Sequence, residues 1–203
     1  MGLQRKKVLG ELAAGMANIT GDVKIMLDLS FKGFLNNKEE LIKECSTIIE
    51  RIDERVAEIA VMVPVLELEE REEITKILSI INNLESIKYN VIKIMNQTQS
   101  KISEGILFTN KAVMELKELF ESVLALIDDL NDMLMTENKV LIKHVIDTIK
   151  EIENTVQKYA TEHEERLIIG ECLPKSSTLY LLTLDSLRDI LWHIKTIARE
   201  LAY

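Results

Sequence analysis

Leu184-Asp185-Ser186-Leu187-Arg188-Asp189 reads leucine, acid, serine, aliphatic, base, acid. One hundred residues earlier, Leu84-Glu85-Ser86-Ile87-Lys88-Tyr89 reads the same until its last position. Both stretches continue at helical spacing, Val91 and Ile94 matching Leu191 and Ile194. With about 3.6 residues to a turn, Asp185 and Asp189 leave one side of a helix and could share a cation. In the earlier copy Tyr89 stands where the second acid would be, so Glu85 cannot act in the same way.

The correspondence runs on through the chain. The same offset pairs Leu41-Ile42-Lys43 with Leu141-Ile142-Lys143, Ile49 and Ile52 with Ile149 and Ile152, and Val56 and Ala60 with Val156 and Ala160. A gapless series at one offset marks an internal duplication, which divides the chain into residues 1–104 and 105–203. Each half holds three helical seams joined by short turns. The expected fold is all-α, six helices as two tandem antiparallel three-helix bundles.

In order, the first seam is Leu12, Met16, Ile19, Val23 and Met26, in a helix running to about Leu35. Asn36-Asn37 makes a turn, and Asn37 with Glu40 resembles a capping box opening a helix with seam Leu41, Cys45, Ile48, Ile52, Val56 and Ile59. Pro64 ends or bends that helix. A short acidic stretch leads to Ile74, Ile77, Leu78, Ile81, Leu84, Val91 and Ile94, fading at Ser103-Glu104-Gly105. Thr109 reads as the N-cap of a helix carrying Val113, Leu116, Phe120, Val123, Ile127 and Leu130. The fifth begins after Thr136, carries Leu141, Val145, Thr148, Ile152, Val156 and Tyr159, and fades near Gly170. Ser176 or Ser177 caps the sixth, with Leu179, Leu182, Ser186, Ile190, His193, Ile197 and Leu201.

Composition supports helices and excludes several classes. The 203 residues are 47% hydrophobic, enough for a sizeable core, with only seven Gly and two Pro. A net charge of −9 with scattered bases argues against nucleic-acid binding. Two distant cysteines argue against a disulfide scaffold or zinc site and for a reducing cytoplasm. Cys45 falls on an apolar seam as a small buried side chain, and Cys172 falls in a loop and receives no role. No apolar run is long enough to span a bilayer. Arg5, Lys6 and Lys7 precede apolar residues, but Glu11 interrupts a signal-peptide core, and Lys6 stands where a myristoylation motif on Gly2 wants Ser or Thr. This basic start suits a segment beside a membrane, or a domain cut from a larger membrane protein.

Catalytic patterns are missing from the sequence: there is no glycine-rich phosphate loop, no G-x-S-x-G, no Cys/His nucleophile pair and no Glu-x-x-His on paired helices. His144 and His163 read as solvated or helix-packing residues rather than ligands. The carboxylates that the duplication places equivalently remain: Asp53 with Glu153, and Glu85 with Asp185. Asp189 adds a second acid to the later copy, and His193 lies one turn further along. Their functional reading is a cation site of Asp185, Asp189 and His193, approached by Glu153. The plainer reading is a solvated acidic face bridged to Lys and Arg.

Two tandem three-helix units, each with an acidic second helix (Ile52-Asp53-Glu54 and Ile152-Glu153) and the Leu84 or Leu184 signature on its third, resemble the PhoU family of phosphate-uptake regulators. The resemblance covers nearly the whole chain. It implies a non-enzymatic cytoplasmic protein, at the inner face of the membrane, that works by contact with a membrane phosphate transporter or its sensor kinase. It also admits a homodimer and peripheral membrane association. Alternatives are the cytoplasmic regulatory domain of a sodium/phosphate cotransporter and a helical adaptor unrelated to phosphate. Family members hold multinuclear iron or zinc clusters on paired E/D-x-x-x-D motifs. Here Ile49 and Ile149 replace the first acid of the second-helix motif and Tyr89 the last acid of the third, so only Asp185 with Asp189 is intact, for a single iron or zinc ion.

Overall fold

Helix ends follow local chemistry. In a computed structural model describing residues 2–65 and 71–202, six α-helices follow one another. They are α1 (Gly2–Asn36), α2 (Glu39–Met62), α3 (Arg71–Ser103), α4 (Asn110–Thr136), α5 (Lys139–Ile168) and α6 (Pro174–Ala202). The acidic stretch before α3 falls on 66–70, outside the described residues, as does the side chain of Arg5. Pro64 lies in a single 3-10 turn, Val63–Val65, that ends α2. Thr109 caps α4 as expected, its hydroxyl accepting from the Ala112 amide at 3.2 Å. Gly105 and Gly170 take left-handed backbone (φ 62° and 80°) just past α3 and α5, where a side chain would be strained.

Two local expectations are corrected. The Asn37–Glu40 capping box does not form: Lys38 is the N-cap of α2 and makes no side-chain cap bond, while Asn37 has turned left-handed at φ 53°. In the second half Asn138 caps α5 through Val140 and Leu141. Ser176 and Ser177 sit inside the first turn of α6, which opens at Pro174, where a missing N–H costs nothing. Gly33 allows the tight α1–α2 turn, since a Cβ there would stand 2.9 Å from Ile42 Cδ1.

Each half runs up, down, up, with α2 against α1 and α3, and α5 against α4 and α6. The halves meet through α3 with α6 and α1 with α4. Both of these pairs are antiparallel. Across the first, Ser79 meets Glu200 and Gln97 meets Thr183; across the second, Lys24 meets Asp128 and Phe31 stacks on Phe120 at 4.5 Å. Antiparallel contact between duplicated helices places a pseudo-two-fold axis between the halves, near Asn90 and Ile190 on the α3–α6 pair. One contiguous core results, containing residues of all six helices.

The buried faces keep the phase of these seams and are wider than them. Cys45 is fully buried, and burial pushes its thiol up to about 11. Leu78 and Leu182, assigned to seams, are exposed, whereas on α6 Tyr180, Leu187 and Leu191 are fully buried. A helix touching neighbours on two sides buries a face wider than one stripe. Asp22, buried on α1, receives Arg51 and Arg55 from α2, satisfying the carboxylate within the first half.

Candidate functional site

Polar side chains interrupt the apolar α3–α6 contact at several levels along its length. Asn83 donates its amide nitrogen to Ser79 O at 2.8 Å, which leaves its Oδ1 to accept from His193 Nδ1 at 2.8 Å. That bond puts the imidazole proton on Nδ1 and leaves a lone pair on Nε2. Burial holds His193 below its ordinary pKa, Asp189 opposing and Lys93 adding to the effect. About two turns beyond the axis, Thr183 donates to Gln97 Oε1 at 2.9 Å.

Beside this lock lies an open cleft of about 550 Å³, walled by Asn82, Glu85, Ser86, Tyr89, Asn90 and Lys93 of α3 and by Asp189 and His193 of α6. Lys93 lies over the Tyr89 ring, 5.0 Å from its centroid, and donates to Asn90 Oδ1 at 3.1 Å. Three of the six residues singled out from sequence, Glu85, Asp189 and His193, therefore line one cleft. The others stand elsewhere, each against a base.

Lys88 of α3 donates to Asp53 of α2 and stands 3.9 Å from Glu85. Lys195 holds Glu153 at 2.7 Å across the α5–α6 contact. Arg188 holds Asp185 at 2.8 Å on the outer surface. Ile149 is buried in the core and Ile49 packs against it. Among the described residues no three His, Cys, Asp or Glu side chains gather as a metal-holding group. The donor set thus does not fit a multinuclear cluster: where such a cluster would supply positive charge, this chain supplies ammonium and guanidinium groups.

Sequence reasoning named the acids and missed their bases. Lys88 lies three residues after Glu85, a spacing that by itself signals a helical ion pair. No local signal joins Glu153 to Lys195, 42 residues on, because their register depends on how α5 packs on α6. Asn83 was equally illegible. Polar residues on an apolar seam announce a partner without naming it.

No protein-family model and no curated protein matches the chain in sequence. Its structure is similar to the crystal structure of PhoU from Pseudomonas aeruginosa, with a TM-score of 0.87 at 15% identity, covering 98% of this chain and 97% of that one. It is also similar to the phosphate transport system regulatory protein PhoU from Streptococcus pneumoniae, with a TM-score of 0.82 at 16% identity, covering 96% and 93%. At such identity the likeness speaks for architecture. From end to end, this chain has the PhoU fold.

Proposed function

We propose that this protein regulates phosphate uptake by contact with a membrane phosphate transporter, its sensor kinase, or both, and not by turnover. The observation that carries the reading is the agreement between the duplicated acid-bearing signature and a fold shared over nearly the full length of two PhoU proteins. The α3–α6 cleft suits such a role. It is polar, open and set on the axis where the halves meet, so a ligand or partner bound there touches both. No helix among the described residues is long and apolar enough to cross a membrane, so action on a transporter would come through docking.

Deletion of the gene in its own organism should change the rate of phosphate uptake or its response to external phosphate. Tagged protein should retain a phosphate transporter or sensor kinase after gentle extraction of membranes. Unaltered uptake together with failure to retain either partner would show an adaptor unrelated to phosphate.

A further inference from the structure

Glu115 of α4 stands at the centre of a buried junction that the proposed function does not use. Arg166 of α5 grips its carboxylate with two nitrogens, Nη1 to Oε1 at 3.0 Å and Nη2 to Oε2 at 2.7 Å. Tyr180 of α6 donates its hydroxyl to Oε2 at 2.6 Å. One carboxylate therefore ties three helices.

His163, a turn before Arg166 on α5, is 1% exposed and lies flat on Tyr180, with ring centroids 4.0 Å apart and planes at 16°. Its Nδ1 is 3.3 Å from Arg166 Nη2. A guanidinium can only donate, so Nδ1 presents its lone pair and the neutral ring carries its proton on Nε2. A second proton, on Nδ1, would remove that acceptor and set two cations 3.3 Å apart in a buried site. Burial first, and then Arg166, hold this imidazole below its ordinary value, with Glu115 opposing.

The surrounding charges offer little relief. From α4 come Glu115, already gripped by Arg166, and Lys111, which is 3.0 Å from Glu162 and 3.9 Å from Glu115. From α5 come Arg166, Glu162 and Tyr159, the last donating to Glu118 at 2.6 Å. Cys172, beside Arg166, comes from the α5–α6 turn, and Tyr180 from α6.

The fold itself does not demand such a junction. At the offset of 100, Glu115, His163 and Tyr180 correspond to Gly15, Val63 and Ile80, so the first half carries no titratable side chain at these three positions. We propose that His163 makes the second half a proton-sensitive latch: acid sets it against Arg166 and frees the α5–α6 turn, while the first half stays closed. The sign follows from linkage. A histidine held below its unfolded value binds fewer protons in the closed state. Its stabilising contribution is then complete above the unfolded value of about 6.5 and is lost as pH falls below it. The freed turn carries the buried Cys172 between the exposed Ile169 and Leu173, so acid would bring its thiol into solvent.

The two cysteines report on the two halves. The full chain is pulsed with a pyridyl disulfide, which stays reactive in acid, at about pH 7.5 and about pH 5.5, and labelling is counted by peptide mass mapping. Labelling of Cys172 relative to Cys45 should rise at least about fivefold in acid, within the tenfold per pH unit that one proton allows. In His163→Gln the ratio should stay level. A level ratio in the unsubstituted protein, a joint rise of both cysteines, or the same acid response in His163→Gln would each overturn the latch. Should that variant not fold, NMR titration of the His163 ring in the unsubstituted protein decides: its midpoint must coincide with that of Cys172 exposure, and separate midpoints refute it.

Discussion

Asn37 and Glu137, 100 residues apart, are the two non-glycine residues of the described chain with left-handed backbone, at φ 53° and 46°. Each sits in the turn after the first helix of its half, so the duplication is written in backbone geometry as well as in side chains. Asn tolerates this conformation, and its Oδ1 also accepts from Lys101 at 2.5 Å. Among the described residues, Glu137 makes a loose ion pair with Lys76 at 3.6 Å. Glu137→Gly should therefore stabilise the protein by about 0.5–1 kcal/mol. Asn37→Gly, which loses the Lys101 bond, should not. Urea unfolding of both variants checks the contrast.

Leu182 and Leu187 test the width of the α6 face. Leu187 is fully buried, while Leu182 is nearly half exposed. Leu187→Ala should cost about 2–5 kcal/mol through lost burial and a cavity. Leu182→Ala should stay within about 0.5 kcal/mol. Equal losses in thermal unfolding would show that the seam legible in the sequence, and not the packed face, describes this helix.

Lys88 stands in for a cation between α2 and α3. Lys88→Met leaves Asp53 and Glu85 without it, at a cost of about 0.5–1 kcal/mol given the exposure of Asp53. The variant, unlike the unsubstituted protein, should then be stabilised by Mg²⁺ or Zn²⁺ at about 1 mM, read as a rise in melting temperature. A melting temperature indifferent to metal in both proteins would show that the two acids do not converge.

Asp185 and Asp189 carry the remaining metal reading. Their double replacement by Asn should remove any iron or zinc that copurifies with the protein and leave helicity unchanged. Elemental analysis beside circular dichroism tests this, and unchanged metal content would place the ion elsewhere.

Phe31 stacks on Phe120 across the halves, and the core is continuous between them. Residues 105–203 alone would expose Phe120 and the face of α6, around Ser186, Ile190 and His193, that lies on α3. That fragment should be helical but self-associating, as light scattering would report. A stable monomer with cooperative unfolding would show instead that each half folds by itself.

Helix number, order, antiparallel course and duplication were legible in the sequence, because apolar spacing along a helix is a local property that repeats every turn. Thr109, Gly105 and Gly170 were legible as helix ends for the same reason. The Asn37 box was not, since Asn serves equally as an N-cap and as a left-handed residue, and only the entry angle of α2 decides which. The acids were legible as a pattern, and Ile49, Ile149 and Tyr89 already marked where the metal motif is broken. Tertiary structure alone decided their company. It set Lys88 on Asp53, Lys195 on Glu153, Asn83 on His193, and Arg166 with Tyr180 on Glu115. These partners lie on different helices, from 35 to 110 residues apart, and their meeting depends on the register and rotation of packed helices, which no periodicity along one chain encodes.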